Sequence, residues 1–384
     1  MFSAMPFGFL FIFVFVFGSV MSLSSLHWLG IWVGLEVNLM GFIPILVYRG
    51  IVQETESGMK YFIVQALGSG MIMLGSLMSF NVSLSWETVS FLHLSSGLVI
   101  LIFGLMLKLG SFPFHFWLPS VMAGISWMGC LVLTTWQKVA PMFLLSSLLY
   151  NWDNSSFYGM SFLIIIAGFS SIVGGVGGLN QTQIRALLAY SSIGHVGWML
   201  FCGAVSESAL KIYFFVYFMT SICVFMVLWC FENSLYSQIG SLGSEKSKVN
   251  EFCLIFMLLS LGGMPPLLGF IGKWLAIWSS CSGYFPGCIF PLLAGSLISL
   301  FYYLSLLFSL MFFSGSSLSS NSNQLGNLNV NFSLSEEENN IWVSGASLSK
   351  LQGSYKLLII NSILVLNLAG GILISLSLLL SDFA

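Results

Sequence analysis

Charged residues are scarce in this sequence. They make up 6% of its 384 residues, while hydrophobic residues make up 57%. A soluble domain carries about 25% charged residues, because its surface must face water. So few charges cannot cover a water-facing surface of this size. The composition therefore excludes a soluble globular protein and indicates a chain embedded in lipid.

Metal-binding and nucleotide-binding motifs are absent as well. The seven cysteines stand singly, and neither a CxxC pair nor a Cys/His cluster with zinc or iron–sulfur spacing occurs. A Rossmann glycine fingerprint and a P-loop are also missing. We therefore expect no cofactor, no metal and no nucleic-acid partner on this chain, and we interpret the cysteines as buried free thiols.

Long apolar runs are what the sequence does have. With about 20 apolar residues per crossing, it contains about eleven candidate spans. The runs lack the short alternating pattern of a membrane barrel, so they predict helices and an all-α integral membrane protein. The spans cover roughly 6–24, 27–48, 61–80, 90–112, 126–149, 157–178, 187–205, 211–231, 252–278, 288–313 and 357–380.

Basic residues between the spans predict the orientation. Lys and Arg favour the compartment from which insertion starts. Only Lys211 falls on the side opposite the N-terminus, and no basic presequence precedes the first run, which we treat as a permanent span. The N-terminus should therefore face the matrix or cytoplasm. Its side carries Arg49, Lys60, Arg185, Lys246, Lys248, Lys350 and Lys356.

Two spans are interrupted by glycine and proline in a similar way. Span 4 contains Gly110 and Pro113, and span 9 contains Gly263, Pro265 and Pro266. Interior prolines break a helix, and Pro113 and Pro265 are 152 residues apart. Five spans separate the breaks, so the second unit inserts with opposite polarity. This predicts two inverted five-helix units, 6–149 and 157–313, with broken helices 4 and 9 flanking a transport site.

A polar stretch separates the last two spans. Residues 314–356 are rich in Ser and Asn and include three consecutive glutamates. They predict a loop outside the membrane, followed by a last span at 357–380, but they suggest no function. The whole chain, 1–384, is then a single polytopic membrane domain.

Four charged residues lie inside predicted spans: Glu36, Lys108, Lys138 and Lys273. A charge at the centre of a membrane helix costs about 2.5–3.5 kcal/mol. The alternative is that long side chains snorkel to the interface. This alternative fits Lys273 best, because that lysine follows the break. Desolvation favours the neutral amine, whereas a nearby carboxylate favours the charged form. Moving such a pair apart releases a proton, so we interpret these four residues as a proton relay.

Two histidines are weaker candidates for the same relay. His115 lies beside the break in span 4, and His195 lies within span 7. An imidazole titrates near neutral pH and can bridge two lysines through water. It can equally satisfy a backbone carbonyl that a break has freed, and the sequence leaves both readings open.

At these motifs the chain resembles the antiporter-like subunit 2 family of mitochondrial respiratory complex I, the NADH:ubiquinone oxidoreductase. Matches in the same order cover residues from about 28 to 275. The matching stretches are Gly34–Asn38, Met59–Phe62 with Gln65–Ala66, Lys108–Gly110, Pro113–Trp117, Thr135–Lys138 with Pro141, Gly178–Arg185, Ala189–His195, Gly263–Pro266 and Gly269–Phe270 with Lys273–Trp274.

The resemblance implies a role for each charged position. The family's glutamate–lysine pair corresponds to Glu36 and Lys108, its central lysine to Lys138, and its second-half lysine to Lys273. The chain departs from the family's usual pattern at Ser120, where an acidic residue is common, and at Gly272, where a proline often precedes the lysine.

The resemblance also implies a function. It makes the chain a core membrane subunit of complex I in the mitochondrial inner membrane, contributing a proton pathway coupled to electron transfer. NADH, FMN, iron–sulfur clusters and ubiquinone would bind to other subunits. Its partners would be other membrane-arm subunits, including neighbouring antiporter-like ones, and lipids. The alternatives are a stand-alone cation/proton antiporter and a structural subunit that moves no protons.

Overall fold

Helices make up most of the described part of the chain. The computed structural model describes residues 8–79, 94–152, 157–231, 245–265, 267–281 and 286–324, with 362, 364–365 and 367–372 near the C-terminus. The helices are α1 Gly8–Ser24, α2 Trp28–Val47, α3 Val52–Ser79, α4 Leu94–Leu109, α5 Trp117–Gly124, α6 Trp127–Thr134, α7 Val139–Trp152, α8 Phe157–Gly178, α9 Ile184–Val205, α10 Glu207–Phe231, α11 Glu245–Gly262, α12 Leu268–Cys281 and α13 Ile289–Gln324.

Seven helical stretches in these residues are long and apolar enough to cross a membrane. Three shorter apolar helices, Gly8–Ser24, Ser96–Leu109 and Phe252–Gly262, coincide with predicted spans 1, 4 and 9. Spans 4 and 9 appear among the short ones because a break divides each of them. The expectation of a multi-spanning helical membrane protein is confirmed, while the number eleven stays a prediction.

The contacts divide the chain into two units. The first comprises Met1–Phe218 and Lys273–Ser299, and the second comprises Met219–Gly272 and Leu300–Ala384. Within the first unit, α1 packs along α2, α3 along α4, and α8 along α9. These units are defined by packing, so the expected symmetry between 6–149 and 157–313 stays a prediction.

Small residues let α1 and α2 approach each other closely. A Cβ atom added to Gly18 would lie 2.5 Å from the backbone nitrogen of Asn38, and one added to Gly34 would lie 2.6 Å from that of Ser22. Membrane helices associate through such close backbone packing, since lipid provides no hydrophobic drive between them. The contact fixes the position of α2, which carries Glu36 and Asn38.

The last long helix extends beyond its predicted span. Helix α13 runs from Ile289 to Gln324, so the first residues of the predicted loop 314–356 are helical. These residues contain no proline, and Ser and Asn are tolerated in a helix at a modest cost. Residues 325–356 and much of the last predicted span lie outside the described residues.

Candidate functional site

Lys138 is buried inside the first unit among uncharged partners. Its side chain is 2% exposed. The Nζ atom donates to the backbone carbonyl of Ser192 on α9 at 3.2 Å and to the hydroxyl of Tyr217 on α10 at 3.5 Å. It also lies 5.3 Å from the centre of the Tyr217 ring. The ion pairs in the described residues are Lys60–Glu56 and Lys211–Glu207, so dipoles and an aromatic face solvate this amine.

A short 3₁₀ turn, Trp136–Lys138, places this lysine between α6 and α7. The predicted span 126–149 is therefore interrupted, a feature that the sequence analysis missed. The signal is Pro141, which lacks an N–H and whose ring excludes the carbonyl four residues earlier, that of Gln137. Pro141 lies in the first turn of α7, where proline is tolerated, so the interruption precedes it.

The interruption changes one backbone hydrogen bond. The N–H of Lys138 bonds to the carbonyl of Thr135 at 3.3 Å instead of that of Thr134. The Thr134 carbonyl accepts a hydrogen bond from the Tyr217 hydroxyl at 3.3 Å. Freed backbone groups in a membrane must find partners within the protein, and Tyr217 supplies this one.

The other two side chains of the turn anchor it to different helices. The indole Nε1 of Trp136 donates to the hydroxyl of Ser19 on α1 at 3.0 Å. The amides of Gln137 and of Asn38 on α2 form two reciprocal hydrogen bonds, both 3.2 Å long. Together with Lys138, these side chains tie the turn to α1, α2, α9 and α10.

His195 lies close to the same tyrosines. Its Nδ1 atom is 3.0 Å from the hydroxyl of Tyr213, and its ring centre is 5.1 Å from that of Tyr217. The bonded partner is thus a phenol on α10, a group that can both accept and donate a hydrogen bond. The structure brings His195 and Lys138 to one pair of tyrosines, spaced one helical turn apart.

Glu36 and Lys108 are within electrostatic range of each other. Glu36 is half-buried on α2, and Lys108 is 7% exposed in the last turn of α4. The carboxylate acts on the amine through its charge, although the two form no direct ion pair. A Cβ atom on Gly68 would lie 3.1 Å from Cγ of Lys108, so this glycine makes room for the lysine stem. Helix α4 also contacts the turn that carries Lys138.

The first break lies between α4 and α5. Gly110 has a φ of 71°, a left-handed conformation that favours glycine. The indole Nε1 of Trp117 donates to the carbonyl of Leu107 at 3.1 Å, which supplies a partner in the broken turn.

His115 lies in this break among aromatic rings. It is 6% exposed, with its ring centre 4.0 Å from that of Phe116 and 6.3 Å from that of Phe112. Its Nδ1 atom is buried without a hydrogen bond of ordinary geometry to other described residues. Both readings of this histidine stay predictions.

The second break lies between α11 and α12. Gly263 has a φ of 76° and follows the last residue of α11, as the sequence predicted. Lys273 is half-buried in the second turn of α12, beyond the break. Lys273 therefore lies in the second half of the broken helix, and its role in the relay stays a prediction.

The described residues contain no cluster of three His, Cys, Asp or Glu side chains that could hold a metal ion. The described cysteines are free, and four of them are buried. The residues that sequence reasoning missed as site members are Gln137, Tyr213 and Tyr217. Only the helical spacing of the two tyrosines distinguishes them in such an aromatic-rich chain.

Known proteins resemble this chain over most of its length. Residues 25–301 match a family described as the transmembrane region of NADH:quinone oxidoreductase and Mrp antiporters. The chain is 39% identical to NADH-ubiquinone oxidoreductase chain 2 of Lumbricus terrestris, covering 77% of this chain and 84% of that one. It is 40% identical to the same protein of Myxine glutinosa, covering 76% and 82%. A chain of respiratory complex I from Thermus thermophilus with bound aureothin has a TM-score of 0.69 at 25% identity, covering 93% and 78%.

Proposed function

The chain belongs to the NADH-ubiquinone oxidoreductase chain 2 family, and we propose that its buried polar residues form the proton route through this subunit. It is a membrane subunit of respiratory complex I, of the antiporter-like, proton-pumping kind. We assign the route to Glu36, Lys108, Lys138 and Lys273, with His115 and His195 as further members.

The burial of Lys138 carries this assignment. An amine with 2% exposure and uncharged neighbours is costly in a membrane unless it has a task. Snorkelling does not explain it, because the amine is held inside the first unit by α9 and α10. A lysine solvated by dipoles can change its charge without losing a fixed counter-ion, as a proton carrier must.

Two further charged residues, Glu36 on α2 and Lys108 on α4, extend the route. Glu36 lies within electrostatic range of Lys108, and α4 contacts the Lys138 turn. His195 adds a titratable group next to the tyrosine that contacts Lys138. Lys273 continues the series in α12, which begins after the second break. In this proposal, two inverted five-helix units, 6–149 and 157–313, each contribute one broken helix.

The membrane placement completes the proposal. We place the chain in the mitochondrial inner membrane, with eleven crossings, its N-terminus in the matrix and its C-terminus on the intermembrane side. Its family of antiporter-like subunits generally carries no cofactor. NADH, FMN, iron–sulfur clusters and ubiquinone belong to other subunits, while other membrane-arm subunits and lipids surround this one.

The test is the substitution Lys138→Met in the intact complex. Methionine has a similar length without the charge, so we expect the complex to assemble and its NADH:ubiquinone turnover to fall at least about tenfold. Proton uptake per NADH oxidised should fall too. The matched control is Lys211→Met, which removes an exposed lysine paired with Glu207.

Two rival functions give other results. A purely structural role for the lysine predicts poor assembly, with normal proton uptake per NADH in whatever complex does form. A stand-alone cation/proton antiporter predicts exchange activity from this chain alone in liposomes. The matched family includes Mrp antiporters, which makes that second measurement worth performing.

A further inference from the structure

The hydroxyl of Tyr217 lies between two buried groups of the same helix interruption. It is 3.5 Å from Nζ of Lys138 and 3.3 Å from the carbonyl oxygen of Thr134. All three residues are less than one twentieth exposed, with Tyr217 at 4%, Lys138 at 2% and Thr134 at 1%. Both distances are long for hydrogen bonds, so the hydroxyl is held tightly by neither partner.

The hydrogen bonds of this hydroxyl depend on the charge of the lysine. A phenol has one hydrogen to donate, and a lysine ammonium has only donors. While Lys138 is charged, the phenol oxygen accepts from it and the phenol hydrogen points to the Thr134 carbonyl. A neutral amine has a lone pair, so the same hydrogen can turn to the lysine and leave the carbonyl.

The Thr134 carbonyl has a particular need for that hydrogen. The regular helical donor four residues later, the N–H of Lys138, bonds to Thr135 instead. An unsatisfied carbonyl in the membrane interior is costly. The charge on Lys138 and the bonding of the interrupted helix therefore share one hydrogen atom.

We propose that Tyr217 is a positioning residue that couples the charge state of Lys138 to the hydrogen bonding of the interruption between α6 and α7. This inference rests on the proposed function, in which Lys138 gains and loses a proton. When Lys138 loses its proton, Tyr217 releases the Thr134 carbonyl, and the turn that carries the lysine becomes free to rearrange.

The neighbouring tyrosine extends the same arrangement to the histidine. Tyr213 lies one helical turn earlier on α10, and its hydroxyl is 3.0 Å from Nδ1 of His195. The ring of His195 also lies next to that of Tyr217. One face of α10 therefore presents a phenol to each of the two titratable groups, Lys138 and His195.

The experiment is Tyr217→Phe in the intact complex. It removes the hydroxyl and keeps the ring that faces the amine, so assembly should persist. We expect kcat for NADH:ubiquinone turnover to fall about fivefold, the effect of losing about 1 kcal/mol from one hydrogen bond. KM for ubiquinone should not change. Tyr302→Phe, which alters another buried tyrosine, 2% exposed, is the matched control and should leave kcat unchanged.

A double substitution separates coupling from simple packing. If Tyr217 acts through the lysine, Tyr217→Phe should cause no further loss in kcat when added to Lys138→Met. A full multiplicative loss in the double variant, or a normal kcat in Tyr217→Phe, would overturn the inference. Normal proton uptake in Lys138→Met would instead overturn the proposed function itself.

Assembly provides a second readout. If Tyr217→Phe alone prevents assembly, the double variant is measured on a native gel. Recovery of the assembled complex in the double variant supports the coupling, because no amine then competes for hydrogen-bond partners. Failure of both variants to assemble would show that Tyr217 serves only the structure of the bundle, and the inference would be wrong.

Discussion

The break between α4 and α5 and the break between α11 and α12 end their first helices in the same way. Each has a glycine with positive φ directly after the helix, 71° at Gly110 and 76° at Gly263. The glycine N–H bonds to a carbonyl three residues earlier, at 3.3 Å and 3.0 Å, and that of Gly110 also bonds to Met106, four residues earlier, at 3.0 Å. The following residue bonds five residues back, at 3.2 Å in both breaks. This is the Schellman motif, used at both breaks.

The contents of the two breaks differ. The first has seven residues, 110–116, between its helices and the second has five, 263–267. If the two glycines are aligned, His115 and Trp117 of the first break correspond to Leu268 and Phe270 of the second. The polar side chains at the first break therefore have apolar counterparts at the second.

The lysines also lie on opposite sides of their breaks. Lys108 precedes Gly110 by two residues, whereas Lys273 follows Gly263 by ten. In the glycine alignment, Lys273 corresponds to Ser120. The glycine that ends the helix is thus repeated at both breaks, whereas the lysines lie at different positions relative to it.

The first prediction tests whether both breaks require a glycine with positive φ, Gly110 in one and Gly263 in the other. Gly110→Val and Gly263→Val should each lower the amount of assembled complex more than about tenfold, because a branched side chain is strained at positive φ. At Gly110 the new Cβ would also lie 2.8 Å from Cδ1 of Leu118. Quantitative native gels provide the measurement.

The control for this pair is Gly70→Val. Gly70 is an exposed glycine within α3, and an added Cβ would meet nothing within 4 Å. Normal assembly of either Gly110→Val or Gly263→Val would show that the two breaks do not depend on the same conformation.

The second prediction concerns Glu36, the carboxylate within electrostatic range of Lys108 at the first break. Lys108→Met leaves the charge of Glu36 in the membrane without its lysine, so assembled complex should fall about fivefold. When Glu36→Gln is added to Lys108→Met, the amount of assembled complex should recover by at least half of that loss. The same addition to Lys273→Met should restore nothing.

Assembly in the four variants can be compared on one native gel. Recovery of Lys273→Met by Glu36→Gln, or no recovery of Lys108→Met, would contradict the assignment of Glu36 to Lys108. A carboxylate shared by both lysines would make the two breaks more alike than the structure indicates.

The smallest expected effect comes from making the first break resemble the second. Trp117→Phe removes the indole donor to the Leu107 carbonyl and introduces the residue found at the matching position, Phe270. Losing one such bond costs about 1 kcal/mol, so the thermal midpoint should fall by about 1–3 °C. Scanning calorimetry of the purified complex is the measurement.

An exposed tryptophan provides the control for this change. Trp278 is 60% exposed on α12, and Trp278→Phe should leave the midpoint unaltered. An equal decrease in both variants would indicate a general effect of losing an indole rather than the loss of the bond to Leu107.

Sequence reasoning located both glycine–proline breaks, because those residues act on the backbone of their own helix. Its spacing of 152 between Pro113 and Pro265 becomes 153 once the two helix-ending glycines are known. It placed Lys138 inside a span and described that span as continuous, although Pro141 carried the signal for an interruption.

The partners of Lys138 were beyond the reach of the sequence. Ser192 is 54 residues away and Tyr217 is 79 residues away, so only helix packing determines which of many serines and tyrosines meets the amine. Glu36 stood out as the one acidic residue deep in a predicted span, but its pairing with Lys108 came from the family resemblance and stays a prediction. The sequence showed where glycine and proline break the helices, but it did not show which distant residues pack against Lys138.

The reciprocal amides of Asn38 and Gln137 form an electrically neutral joint between α2 and the lysine turn. Amides do not ionise, and each of these two gives one hydrogen bond and receives one. The joint therefore stays closed whatever charge is present on Glu36, two residues away on α2, or on Lys138, the neighbour of Gln137. The two hydrogen bonds can therefore transmit a displacement of α2 to the turn, whereas neither amide can bind a proton.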